Sequence, residues 1–348
     1  MVKIVEENER IKRRYMAYLK GPKGRDEKTI NKIAAALRKF EESTGYKPFK
    51  KFHIDQGGKF RTYLENTKTQ RTKRALSHST IDATLRMVKT FIIWLSEQPG
   101  YKSRISYIDA EYFNNNRKNA RIAHTQRHKP YPSIAQCKRA FEAMPEANET
   151  QMRDKAAFAF IMLSGARIKA MSTIRLKHID LEEGYVLQDA RDVNTKNAKT
   201  IPAWFFPVDH VYFDYFRRWI LYLREEKLFG PEDALLPKPN IGLSPKGGFA
   251  NLGLSRDCYK NAAKFNDALK TAFQMVQMPA YTPHSLRKTL GLLLNEKCKT
   301  PEQMKAWSMN MGHEHMRTTM SAYMPVSHER QGELMKAMRE EAQTNIST

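Results

Sequence analysis

Residues 163–181 read LSGARIKAMSTIRLKHIDL, and the chain changes character within this run. An apolar helical segment over about 152–163 leads into it and breaks at Ser164-Gly165. A glycine just past the last periodic residue is a common helix stop, because it enters the left-handed region without a Cβ penalty. Arg167 is therefore expected at the opening of the next helix, beside backbone N–H groups that no preceding turn satisfies. Beyond Leu181 the helical period fades. Tyr185-Val186-Leu187 and the pair around Val193 and Ile201 read as short strands, with a turn at Asn197-Ala198.

Helical patterning surrounds this small sheet. Downstream it resumes over 211–226, 260–275 and most of the remainder; upstream it covers 134–144. In the first third, Asp26 caps a segment with Ile30, Ile33, Ala34, Leu37 and Phe40 on one stripe. Asp55 precedes a shorter one with Phe60, Tyr63 and Leu64. Ser79 opens a third, with Ile81, Leu85, Val88, Ile92 and Leu95 inward and Arg86 and Lys89 on the other face. A basic loop, Lys68, Arg71, Lys73 and Arg74, precedes it. The polar run NNNRKNARIAHTQRHKPY ending at Tyr131 has linker composition. The expected fold is mainly α with a small antiparallel β-sheet. A basic helical domain over 1–118 is joined by a linker, 119–131, to a second domain over 132–348.

The 348 residues carry a formal charge of +23, spread unevenly. Residues 1–130 hold 30 lysines and arginines against 13 acids, whereas the remainder is close to balance. An excess of that size in one segment points to a polyanion, and nucleic acid is the common one. Cys137, Cys258 and Cys298 are too few and too scattered for a disulfide framework or a metal knuckle, which fits a reducing cytoplasm. The longest nearly apolar run, 156–163, is too short to cross a bilayer. There is no phosphate-binding GxxxxGK loop and no GxGxxG. His313-Glu314-His315 lacks the second zinc histidine of HExxH, since that place is Arg317. Neither metal nor nucleotide cofactor is expected.

What remains is cationic, imidazole and phenolic. Thr282-Pro283 is a strong helix start and puts His284 and Arg287 on one face of a first turn. Lys196 lies at a hairpin tip, Gly312-His313 follows a capped helix, and Tyr323 comes ten residues later. Singly, each of these side chains is more often solvated or packed than reactive.

In order, Gly-x-Arg, hairpin Lys, His-x-x-Arg, Gly-His and Tyr resemble the tyrosine recombinases, the phage-type integrase family. LSGARIKAMSTIRLKHIDL resembles the first arginine box and TKNAKTIP the lysine hairpin. HSLRKTL resembles the second box, and MGHEHMRTTMSAY the terminal box with its nucleophile. The likeness spans about 132–330; the basic segment before it is similar, more loosely, to the family's core-binding domain. It implies a site-specific DNA recombinase, integrase- or transposase-like, that cuts and rejoins DNA through a 3′-phosphotyrosyl link on Tyr323. Arg167 and Arg287 would clamp the phosphate, His284 act as base, Lys196 as acid, and His313 bond the phosphate or the nucleophile. Arg71, Arg74, Arg86 and Lys89 would face double-stranded DNA bearing inverted repeats. Leu334, Met335 and Met338 can form one apolar stripe on a C-terminal helix, and the resemblance implies that such a helix links protomers into a homotetramer. Departures leave Lys199 as a rival to Lys196 and His315 to His313, and Ala170 stands where relatives often carry an acid. The alternatives are a type IB topoisomerase-like relaxase and a non-catalytic DNA-binding regulator.

Overall fold

A computed structural model describes residues 5–69, 72–125, 130–244, 247–323 and 328–344, without the side chains of 321–323, 328 and 340–344. Packing divides the chain into two units, Met1–His128 and Lys129–Thr348.

The first unit is helical: α1 (Glu6–Lys20), α2 (Glu27–Ser43), α3 (Asp55–Asn66), α4 (His78–Ser96) and α5 (Arg117–His124). Asp26 caps α2 as its sequence predicts, its carboxylate accepting from the Thr29 N–H at 2.8 Å. The cap of α4 is Ser77, accepting from Thr80 N–H at 3.2 Å, while Ser79 donates its hydroxyl to the Ala123 carbonyl of α5 at 2.8 Å. Helix α5 occupies the first half of the stretch that reads as linker. None of its residues is buried, and polar side chains dominate its eight residues, so it reads as linker. The core is aromatic. Phe40 meets Phe113 edge-on, centroids 5.3 Å apart, a geometry worth about 0.5–1.5 kcal/mol beyond its buried area.

The second unit contains α6 (Ile134–Glu142), α7 (Glu149–Ser164), α8 (Ile168–Met171) and a three-stranded antiparallel sheet of β1 (Ile179–Asp180), β2 (Tyr185–Gln188) and β3 (Ile201–Trp204). Residues 156–163 of α7 are buried on every side, against helices later in the chain, which is why its pattern is a run and not a stripe. Val193 does not belong to a strand. The Asp189 carbonyl accepts from both Asp192 and Val193 N–H groups, and the resulting turn drives the Val193 side chain inward, to 2% exposure. After α9 (His210–Leu221) comes a hairpin absent from the sequence reading, β4 (Pro239–Leu243) and β5 (Phe249–Leu254). Its signal is Gly247-Gly248 between Leu243 and Phe249. Helices α10 (Ala263–Met275), α11 (Pro283–Lys297), α12 (Pro301–Asn310), α13 (Met316–Tyr323) and α14 (His328–Thr344) complete the unit. No helix among the described residues is long and apolar enough to cross a membrane.

Candidate active site

Helix α7 ends on Gly165 at φ 58°, its N–H donating to the Ile161 carbonyl at 2.8 Å. A Cβ there would lie 2.8 Å from the Phe206 ring, so the stop also admits a close neighbour. That neighbour is fixed by the Phe206 N–H, which donates to the Leu163 carbonyl at 2.7 Å. Two residues on, half-buried Arg167 is the N-cap of α8, its carbonyl accepting from the Ala170 N–H at 2.8 Å.

Helix α11 begins as its sequence predicts, with Thr282 as N-cap and Pro283 first. His284 is exposed, whereas Arg287, one turn on, is 6% exposed and donates from Nη2 to the Met311 carbonyl at 2.9 Å. Met311 closes α12, whose carbonyl end is the negative pole of the helix. The same end is tied to β3 by a reciprocal pair. Trp204 N–H donates to Asn310 Oδ1 at 2.7 Å, and Asn310 Nδ2 donates to the Trp204 carbonyl at 2.8 Å. At Gly312, φ is 66°, and a Cβ would lie 2.8 Å from Ile201 and 3.3 Å from the Arg167 guanidinium. Glycine lets this backbone lie against both.

His313 follows, and its environment brings together segments that lie far apart in sequence. Burial, then the charges of Arg287, Arg167, Lys196 and Lys199, push its imidazole down to about 4, so the ring is neutral at pH 7. Of the two lysines, Lys196 acts on it more strongly. Its rival His315 is exposed. His313 Nδ1 stands 2.7 Å from Thr319 Oγ1, which stands 2.6 Å from Ser308 Oγ. Thr319 is fully buried and escaped the sequence reading. Its signal is its place in the terminal box, four residues before Tyr323. Tyr323 is the last residue of α13, and its side chain lies outside the described residues.

A cavity of about 770 Å³ opens beside His313 and Lys199 between β3 and α12, with Pro202, Trp204, Phe206, Trp307 and Met309 among its walls. On α14, Met335 and Met338 are each 56% exposed and Leu334 is half-buried. In the first unit Arg74 is exposed. Arg86 Nε lies 3.0 Å from Asp82, and Lys89 Nζ donates to Glu111 at 2.7 Å and to Asn114 at 2.8 Å. Arg71 lies outside the described residues.

Residues 134–330 match the family model described as Phage integrase family. No curated protein matches the chain in sequence. Among solved structures, similarity in fold extends to a lambda integrase dimer bound to a COC′ core site. Identity is 11%, coverage is 90% of this chain and 94% of that one, and the TM-score is 0.59. The Tn1549 transposon integrase in complex with transposon right end DNA is 13% identical, with 94% and 99% covered and a TM-score of 0.58. The XerH site-specific recombinase bound to its difH substrate is 14% identical, with 88% and 78% covered and a TM-score of 0.54.

Proposed function

The chain belongs to the phage integrase family of tyrosine recombinases, and on that premise we propose that it is a site-specific DNA recombinase, integrase- or transposase-like, with Tyr323 as nucleophile and no metal or ATP. The observation that carries this reading is the gathering of Arg167, Lys196 and Arg287 around neutral His313, next to the helix that ends on Tyr323.

Attack on a phosphodiester builds negative charge on the non-bridging oxygens, and each preorganised donor there contributes about 3–4 kcal/mol. Arg167 and Arg287 supply planar forks that match a phosphate better than an ammonium does. Arg287 is already held by the Met311 carbonyl, so little reorganisation is needed when charge develops. Neutral His313 donates one more hydrogen bond. Ionising a phenol of pKa about 10 at pH 7 costs about 4 kcal/mol, which the arginines offset while His284 takes the proton. Lys196 protonates the departing 5′ oxygen. The 3′-phosphotyrosyl ester keeps the energy of the broken bond, so a new 5′ hydroxyl can reverse the step without ATP.

The DNA would be a duplex with inverted repeats, contacted in the first unit by Arg71, Arg74, Arg86 and Lys89. Four protomers would assemble on it, the Met335–Met338 stripe of one seated in the apolar groove beside His313 of the next. Such an enzyme works in the cytoplasm, at the nucleoid.

The test is a nicked duplex carrying the inverted repeats mapped beside the gene, on which the wild type is expected to trap a covalent adduct and Tyr323→Phe none. Adducts that form without regard to sequence would indicate a relaxase, and no wild-type adduct a regulator. Deleting the residues after Val326 is expected to impair recombination while monomeric DNA binding persists.

A further inference from the structure

Residues 189–200 join β2 to β3 without strand pairing of their own, and Asn197 and Ala198 next to Lys196 are both left-handed, at φ 60° and 49°. Lys196 is exposed, so packing alone does little to place its ammonium. The loop is instead bonded at two points to the segment that follows Arg167. Asn194 N–H donates to Thr173 Oγ1 at 2.8 Å, and the Thr173 hydroxyl donates to the Ala170 carbonyl at 3.3 Å. Farther along, Asp192 lies 2.7 Å from Lys177 Nζ and 3.5 Å from His178 Nε2. The Ala170 N–H in turn donates to the Arg167 carbonyl. Hydrogen bonds linked through the Ala170 backbone thus lead from the Arg167 carbonyl, by way of the Thr173 hydroxyl, to a backbone N–H two residues before Lys196. Ala170 has no side chain long enough to reach the loop. The Thr173 hydroxyl, accepting on one side and donating on the other, closes that gap.

We propose that Thr173 is a positioning residue that couples the Arg167 turn to the Lys196 loop and so sets where the lysine ammonium meets the leaving oxygen. This rests on the reading of Lys196 as general acid. In cleavage the Tyr323 oxygen bonds to phosphorus, the P–O5′ bond breaks, and O5′ takes a proton from Lys196 Nζ. A donor moved out of line slows that proton transfer and leaves phosphate binding in place. If sulfur replaces the bridging 5′ oxygen, it departs as a thiolate whose thiol has a pKa of about 8.5, and it needs no donor.

Adduct formation is therefore measured with the full-length chain on two nicked duplexes of the mapped repeats, one with oxygen and one with sulfur at the bridging position. Thr173→Val keeps the shape and removes the hydroxyl. It is expected to be about 10- to 100-fold slower on oxygen, as for a small misplacement of a reacting group, and within about threefold of wild type on sulfur. Thr173→Ser restores the hydroxyl and is expected to stay within about threefold of wild type on both. Lys196→Ala calibrates the assay, slow on oxygen and restored on sulfur. Equal slowing of Thr173→Val on both substrates, or none on either, overturns the proposal. A Lys196→Ala variant that sulfur does not restore brings down the general-acid reading, and the proposal with it.

Discussion

The first 130 residues of this chain carry most of its net positive charge, yet the second unit is the one that buries an arginine at the site. Arg86 leaves 64% of its side chain in solvent and leans on Asp82 one turn away, and Lys89 is held by Glu111 and Asn114. Arg287 is 6% exposed and held by the carbonyl that closes α12. The difference has a physical meaning. Exposed charge is screened within about 8–10 Å and shared with carboxylates, so on the proposed reading it would tune how tightly and how salt-sensitively DNA is held. A guanidinium fixed by a backbone dipole in a water-poor site is aimed before the reaction starts, which is what charge developing on a phosphate requires.

Arg287→Ala should produce the largest effect, slowing adduct formation about 100- to 1,000-fold while DNA affinity stays within a few-fold. Single-turnover cleavage and fluorescence anisotropy would measure the two, and an equal loss in both would erase the contrast between the units. Gly312→Ala comes next. Its Cβ would press on Ile201 and on Arg167 from a left-handed backbone, so about a tenfold or greater loss of rate is expected, with a lowered Tm. A wild-type rate would mean that the approach of Arg167 to this backbone does not matter.

In the first unit, Arg74→Ala and Arg86→Ala should each flatten the log–log salt dependence of binding by about one and leave the rate at saturating DNA unchanged. Lys89→Ala is the counterpart. Its ammonium must leave Glu111 and Asn114 to meet a phosphate, so its salt slope should fall by less than that of Arg74→Ala, and an unchanged slope would remove Lys89 from the residues that contact DNA.

The smallest effect concerns His313. Its folded value of about 4 lies below the ordinary 6.5, so between these the unfolded chain binds more protons. The contribution to stability is complete above pH 6.5 and is lost as pH falls toward 4. Denaturant unfolding at pH 7 and pH 5 should show a smaller difference for His313→Gln than for wild type. Equal differences would mean that the ring is not held neutral by its surroundings.

Much of the site is legible in the chain because its signals are local. Gly165 as a stop, Thr282-Pro283 as a start and the order of the boxes each depend on a handful of neighbouring residues. Weak local signals mislead elsewhere in the chain. Helix α5 buries nothing and reads as linker, and Val193 looks like a strand residue until a turn at Asp189 points it inward.

Along the chain alone, the candidate side chains and the kind of element each stands on are readable, because helix caps, glycine stops and residue order act over a few positions. Which of them meet depends on how distant segments pack. Trp204 and Asn310 are 106 residues apart, and their paired bonds lay β3 against the end of α12 beside His313. The same holds for Arg287 on Met311, for Thr173 beneath the Lys196 loop, and for Lys89 turning to Glu111. Such pairings come from the packing of distant segments around a shared core, and no window along the chain contains both partners.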